Sequence, residues 1–327
     1  MPIFSTQDIV SITDVQNIYL DALKRFPVMH LSPSERIIDG GGYVLSKQIN
    51  GKLLLKPNIT KQGLLFRGAS NVNKVYTTST GRRFNRFGIN FKQFESLINS
   101  FPLYDMFKNG VELPNGETLC LENPYGLAYI YDISLPYIGL TSDLNVAMFY
   151  AVTSFNEDTC RFEMKKEGTG VLYAYELRQP LRLTRSLTTI GLQVFPRSFG
   201  QRLFLLQMPE NADFNQHKAV IGFRFNHQED KAKEIFEMFK GGEMLEPSDD
   251  FLCKKLKQLN DNPTPLPVFE AKDLETLYER IDDYWAEFIS LIHFEKNEEE
   301  IKRFLLNLPQ DDKYARYFNL NQYYNER

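Results

Sequence analysis

Val15, Ile18, Tyr19, Ala22, Leu23 and Phe26 recur at helical spacing, and Thr13 with Gln16 three positions on has the form of a capping box, so the pattern predicts a first helix over about 13–25. Ser32 to Gly42 is turn-rich, and Gly40-Gly41-Gly42 lacks the spacing of a phosphate-binding loop, so it reads as a hinge or turn. The segment YVLSKQINGKLLL sets Asn50-Gly51 between apolar runs, which predicts a hairpin. GLLFRGAS reads as a short buried strand. Phe91, Phe94, Leu97, Ile98, Phe101 and Phe107, interrupted by Pro102, predict one helix and a second short one. PYIGLTSDLNVAMFYAV predicts a strand, a turn capped by Asp143, and a helix whose inward face is Val146, Ala147, Phe149 and Tyr150. GVLYAYEL alternates most regularly of all, and RLFLLQM is a further buried strand.

Beyond about residue 227 the texture changes. Residues 229–240 predict a charged amphipathic helix stopped by Gly241-Gly242, and NPTPLPVF, with three alternating prolines, predicts an extended connector. Leu274, Leu277, Tyr278, Ile281, Trp285, Phe288 and Ile292 form the apolar stripe of a long helix, either core or a face for a protein partner. Glu298 to Glu300 open another short helix, where acidic residues suit the N-terminus. The aromatic tail YARYFNLNQYYNER is expected to dock on the body or fray. The resulting divisions are 1–60, an N-terminal helix and hairpin; 61–227, a strand-rich domain; and 228–327, a helical C-terminal region. No internal repeat is visible.

A composition of 43% hydrophobic and 24% charged residues is that of a globular chain and excludes a wholly disordered or collagen-like one. No apolar run approaches the ~20 residues of a membrane span, and Met1 to Thr13 lacks a basic region followed by an apolar one, which reads as cytoplasmic and without a membrane partner. Cys120, Cys160 and Cys253 are too widely spaced for a disulfide framework or a CxxC metal site. Charge is uneven: residues 1–209 hold 22 basic and 17 acidic side chains, residues 210–327 hold 16 and 25. Two windows are basic without any acid. Asn71 to Phe94 contains Lys74, Arg82, Arg83, Arg86 and Lys92, and Leu177 to Pro209 contains Arg178, Arg182, Arg185, Arg197 and Arg202. They favour a small anionic nucleotide or, since Phe84, Phe87, Phe91 and Phe94 interleave the first window, a nucleic acid that stacks its bases. A sequence pI near 5.7 weighs against nucleic acid. The alternative is that these arginines are solvated or pair with the acidic C-terminal region.

His30, His217, His227 and His293 sit in no HxxxH or HExxH arrangement, no GxSxG or GxxxxGK[ST] motif occurs, and no metal site is expected. His217 and His227 flank the strand-like AVIGFRF near the second basic window. Three stretches stand out because each sets a polar side chain at or beside a buried strand: Arg67 in LLFRGAS, Thr141-Ser142 in IGLTSDLNVAMFYA, and Gln201 in PRSFGQRLFLL. A guanidinium is always charged and must find an anion or a cluster of carbonyls and hydroxyls. A dinucleotide pyrophosphate would serve; so would an internal carboxylate such as Asp132 or Glu176.

Phe66-Arg67-Gly68, followed by Ser70 and the arginine-containing TTSTGRRFNR, then by LTSDLNVAMFYA, GVLYAYEL and PRSFGQRLFLL in that order, resembles the FRG domain family over about residues 61–225. The family's QHYGLPT block is reduced here to NPYGLAY at Asn123 to Tyr129, with extra residues before LTSD. The FRG domain in turn looks like a distant member of the ADP-ribosyltransferase superfamily with an Arg, Ser-Thr-Ser and Glu pattern. The resemblance implies an α+β fold built on a split antiparallel sheet of ADP-ribosyltransferase type, with an N-terminal helix and a helical C-terminal region. It also implies NAD as substrate and a bacterial toxin or phage-defence setting.

By that resemblance Phe66, Arg67, Gly68, Thr141 and Ser142 bind the dinucleotide, with Arg67 on its phosphates or ribose and Gly68 letting the backbone approach the nicotinamide amide. Thr141 and Ser142 would hydrogen-bond Arg67 and the ribose, and Tyr137 or Phe149 would stack on nicotinamide. Arg67, Ser142 and Gln201 are the catalytic candidates. Gln201 falls where the transferases have glutamate. A carboxylate would stabilise the positive charge that builds on the ribose, and losing such a partner costs about 10² to 10³ in rate. Three outcomes follow: a slow ADP-ribosyltransferase or NAD glycohydrolase, an enzyme that recruits another acid such as Glu176 or Glu122, or a catalytically inert nucleotide-sensing or protein-interaction module.

Overall fold

Runs of consecutive buried apolar residues along the central strands give a six-stranded sheet buried on both faces, one of them covered by helices. The computed structural model describes residues 11–25, 35–37, 43–48, 50–58, 63–71, 87–120, 123–133, 135–156, 159, 161–177, 187–189, 194–195, 197–208, 212–270, 272–273 and 298–326. In chain order these form α1 (Ile12–Arg25), β1 (Glu35–Ile37), β2 (Tyr43–Lys47), β3 (Lys52–Pro57), β4 (Leu64–Ala69), α2 (Phe91–Asn99), α3 (Pro102–Asn109), β5 (Val111–Glu112), β6 (Thr118–Cys120) and α4 (Pro124–Ile130). There follow β7 (Tyr137–Thr141), α5 (Leu144–Val152), β8 (Thr153–Asn156), β9 (Arg161–Met164), β10 (Thr169–Glu176), β11 (Leu187–Thr189), α6 (Arg197–Gln201), β12 (Leu203–Gln207), β13 (Val220–Asn226), α7 (Glu229–Met238) and α8 (Phe251–Asp261). Two short helices, Glu298–Leu306 and Leu320–Asn325, close the chain. The fold is mixed α+β. No helix among the described residues is long and apolar enough to cross a membrane.

The main sheet has the order β11-β12-β7-β4-β10-β13, antiparallel throughout. β4 and β10 pair over six positions, from Val171 opposite Ala69 to Glu176 opposite Leu64, whereas β4 and β7 meet at one, Phe66 opposite Thr141. Past that point the two strands diverge. A second sheet, β1-β2-β3-β6-β5, carries the Asn50-Gly51 hairpin, in which Gly51 takes φ 81°, a conformation that costs glycine least.

Leu64, Phe66, Leu172, Ala174, Ile221 and Phe223 on one face of the main sheet pack with α1, α5 and α7. Leu65, Ala69, Ile138, Leu140, Val171 and Tyr173 on the other face join Phe204, Leu206 and Phe214. A third core gathers α2, α3, α4 and α8 with the C-terminal tyrosines Tyr314, Tyr317 and Tyr323. The tail is therefore docked. Tyr323 donates to Asp105 Oδ2 at 3.0 Å and Tyr324 to the Ser100 carbonyl at 3.1 Å.

Several local expectations shift. Ile12 is buried, so α1 begins there and its capping box is Ser11 with Asp14, two residues earlier than Thr13 with Gln16. α5 has no polar face: Leu144, Met148, Ala151 and Val152 are buried along with Val146, Ala147 and Phe149, as suits an apolar helix between a sheet and a second layer. Core packing also runs across residue 227, since Ala232, Ile235, Phe239 and Leu245 share the core of β13 and α5. The long apolar stripe from Leu274 to Ile292 and Gly40-Gly41-Gly42 lie outside the described residues.

A Cβ on Gly68 would collide with the Ala147 carbonyl of α5, so helix and strand touch through backbone at that point. The missing side chain at 68 thus serves helix–strand packing. Gly68→Ala should lower unfolding free energy by about 3 kcal/mol in urea denaturation, as overpacking against a backbone does. Gly51→Ala, which meets open space, should cost only the left-handed conformation, about 1 to 2 kcal/mol.

Candidate functional site

Where β4 and β7 part, backbone groups that would have paired are taken by side chains. The Gly139 carbonyl accepts from Arg67 Nη1 at 2.9 Å, and the Gly139 N–H donates to Tyr129 Oη at 2.8 Å. A Cβ on Gly139 would strike the Tyr129 ring at 2.6 Å, so only glycine leaves the tyrosine its place. The gap between the strands is the floor of a cavity of about 420 Å³, within the ~300–1,000 Å³ typical of small-molecule sites. β4 contributes Phe66, Arg67, Gly68 and Ala69; the end of α4 and its following turn contribute Tyr129, Asp132 and Ile133; β7 contributes Gly139 to Thr141. α5 and β8 supply Val146, Ala147, Tyr150, Thr153 and Phe155, and Gln201 and Glu246 close it.

Of the residues expected at a site, the structure brings Phe66, Arg67, Gly68, Thr141 and Gln201 to this cavity. Thr141 and Ser142 do not bond Arg67 in the contacts observed; they clamp the turn before α5 to the end of α6. Thr141 Oγ1 donates to the Gln201 carbonyl at 2.7 Å and accepts from the Asp143 N–H at 3.0 Å. The Ser142 N–H donates to the Arg202 carbonyl at 3.2 Å. Ser142, Tyr137 and Phe149 are not part of the cavity lining. Phe149 lies in the core against Phe162 (5.0 Å between ring centroids) and Phe239 (5.3 Å), which leaves no face for a stacked ligand. Glu176 sits opposite Leu64, three residues along from the pair of Tyr173 with Arg67, and does not line the cavity; Glu122 lies outside the described residues.

Asp132 and Glu246 do line it, and Glu246 was not legible as a site residue. Both side chains are less than a tenth exposed. They belong to a buried charge cluster around Arg197, whose Nη1 is 3.2 Å from Glu246 Oε2 and 3.9 Å from Asp132 Oδ2, and whose Nε donates to Asp250 Oδ2 at 3.2 Å. The guanidinium also lies 5.1 Å from the centre of the Tyr131 ring. Asp250 Oδ1 caps α8 by accepting from the Leu252 and Cys253 N–H groups. Burial pushes the Asp250 carboxyl up, while Arg197 and the hydrogen bonds it accepts pull it down. Arg197, counted in the second basic window as a ligand for an anion, therefore spends its charge on acids of the C-terminal region. The signal that could have found Glu246 is that acid-rich segment, EMLEPSDD, placed just after a double-glycine helix stop and opposite an arginine-rich window.

Arg202 Nη1 lies 3.7 Å from Asp143 Oδ2, and Lys74, Arg82, Arg83, Arg86, Arg178, Arg182 and Arg185 fall outside the described residues, as do His30, His293, Cys160 and Phe84. Phe87 and Phe94 are core, while Phe91 stacks on the exposed Tyr125 at 4.6 Å. His227 Nε2 is 3.1 Å from the carbonyl of Ser70 at the cavity rim, and the His217 ring packs 5.4 Å from that of Tyr175. Among the described residues no group of three or more His, Cys, Asp or Glu could hold a metal ion. No protein-family model, no curated protein and no solved structure matches the chain.

Removing Arg197 would strand buried carboxylates. Arg197→Met should cost about 3 to 5 kcal/mol of stability by urea denaturation, the penalty for breaking a buried pair from one side. Burial holds both His217 and His227 below the usual histidine range; for His227 the Ser70 carbonyl opposes this and Lys165 adds to it. The folded chain then binds fewer protons than the unfolded chain below about pH 6.5. Stability should fall as pH drops from that value toward the folded-state one, and His227→Gln should flatten the fall when melting temperature is followed between about pH 7.5 and 5.5.

Proposed function

We propose that the chain binds a nicotinamide adenine dinucleotide-type ligand in this cavity and cleaves its nicotinamide–ribose bond, as NAD glycohydrolysis or mono-ADP-ribosyl transfer. The observation that carries the reading is the convergence of Arg67, Thr141 and Gln201, three residues far apart in sequence, on one cavity where β4 and β7 diverge. The divergence supports a split sheet of ADP-ribosyltransferase type, as the resemblance of Phe66-Arg67-Gly68 and LTSDLNVAMFYA to the FRG domain implies. Arg67 supplies a fixed positive charge for phosphate or ribose oxygens, with Nη1 anchored on the Gly139 carbonyl at the cavity floor. The carboxylates of Asp132 and Glu246 supply the opposite charge, which suits ribose hydroxyls and a cationic pyridinium ring.

A second reading, a nucleotide-sensing module without catalysis, is favoured by one specific feature. The Gln201 side-chain amide nitrogen donates to the Leu245 carbonyl at 3.3 Å, and the Gln201 backbone carbonyl accepts from the Thr141 hydroxyl at 2.7 Å, so the side-chain donor is engaged within the protein.

Calorimetric titration with NAD, run beside a chromatographic assay for free nicotinamide over hours, separates the readings. Binding with release is expected; binding without release selects the sensing module. Arg67→Ala, checked for folding by its melting transition, should weaken NAD binding at least about tenfold, the loss of a charge-assisted hydrogen bond. Unchanged affinity in the folded variant would make Arg67 a strand pin and remove the dinucleotide from the cavity.

A further inference from the structure

Gln201 sits in α6, and three residues of that helix meet one stretch of the C-terminal region. Gly200 admits the backbone of that stretch: a Cβ there would lie 2.6 Å from the Met244 carbonyl. Gln201 Nε2 donates to the Leu245 carbonyl, and Arg197, one turn earlier, holds Glu246 Oε2 at 3.2 Å. Contacts with residues 244, 245 and 246 in succession thus present the Glu246 side chain to the cavity. Its other oxygen, Oε1, accepts from the Tyr150 hydroxyl at 3.4 Å. Tyr150 also lines the cavity. The carboxylate is oriented by one ion pair and one hydrogen bond in a buried wall, where a charge acts far more strongly on a bound ligand than it does in bulk solvent.

We infer that Glu246 is the catalytic carboxylate of this cavity and that Arg197 and Gln201 are its positioning residues. This rests on the dinucleotide reading above. With water as acceptor the step balances as follows. The bond from ribose C1′ to the pyridinium nitrogen breaks, its electron pair going to that nitrogen, so nicotinamide leaves neutral. The oxygen of a water forms the new bond to C1′, and its proton passes by way of Glu246 to solvent. Positive charge that develops on the ribose between these events faces the Glu246 carboxylate. The products are ADP-ribose, nicotinamide and one proton. Gln201 takes no proton here; its amide is the clamp on Leu245, which a glutamate could not reproduce because a carboxylate has no hydrogen to donate to a carbonyl.

The test is nicotinamide release and NAD affinity measured on the full chain and on three variants, each checked by its melting transition. Glu246→Gln should release nicotinamide about a hundredfold to a thousandfold more slowly at saturating NAD, binding being confirmed by calorimetry. Gln201→Glu should not speed release. Tyr150→Phe, which removes one donor from the carboxylate, should shift the acidic limb of the pH–rate profile upward, a readout that mere loss of packing would not move. Release by Glu246→Gln at the wild-type rate, or an acidic limb unmoved in Tyr150→Phe, overturns the assignment and leaves the dinucleotide reading standing. Wild-type binding without release overturns Glu246 as a catalytic group and leaves a binding module. Absence of NAD binding by the wild-type chain overturns both.

Discussion

The backbone contact of α5 with the main sheet sets the geometry of the cavity. Gly68 on β4 and Gly170 on β10 each lack the Cβ that would strike α5, at the carbonyls of Ala147 and Ala151 respectively. Two bare positions on neighbouring strands let the helix sink onto the sheet. Its start is then set by Asp143, whose side chain caps the Asn145 N–H and whose own N–H is held by Thr141 at the end of β7. The seat of the helix therefore fixes the end of β7 and with it the single paired position that β4 and β7 share. Everything the cavity needs, its floor at Gly139, its arginine and its aromatic wall, follows from that divergence.

The charge cluster around Arg197 is the second constraint, and its worth lies in specificity more than in stability. Taking a guanidinium and three carboxylates out of water is costly, and a well-packed apolar set would serve net stability as well or better. What the cluster does is tie α6, the cap of α8, the turn after α4 and the segment following α7 to one point. Only one arrangement of these elements satisfies all the charges, so the wall that carries Asp132 and Glu246 has little freedom to move. Pre-organised polar groups of this kind are what a reacting ligand can use without the wall reorganising.

Much of the framework was legible in the residues. GLLFRGAS, PYIGLTSDLNVAMFYAV and GVLYAYEL declare their strands and the capped helix because period-two and period-3.6 patterns are local, and Asp143 caps as its spacing demands. The misread details share a cause: each depends on what lies across space. Thr13 has the right neighbours for a cap, but burial of Ile12 moves the start of α1. Phe149 looks like a free aromatic beside a motif, yet Phe162, Phe236 and Phe239 arrive from other elements to enclose it. Arg197 looks like part of a basic surface until Asp250 and Glu246 come from 50 residues away. Glu246 has no motif at all, and its place at the cavity exists only through the docking of residues 244–250 on α6.

That docking changes what the glutamine at 201 means. Along the chain, Gln201 is expected to stand where a resembling transferase would carry glutamate, which implies a weakened or idle site. In the folded protein its side chain is a buried donor aimed at the Leu245 carbonyl. A glutamate there would set two acceptors against each other in a place with little water to separate them, and the buried carbonyl would lose its partner. A neutral donor at 201 and a carboxylate at 246 are thus two halves of one arrangement. The neutral side chain at 201 is what holds in position the segment that carries the charge at 246.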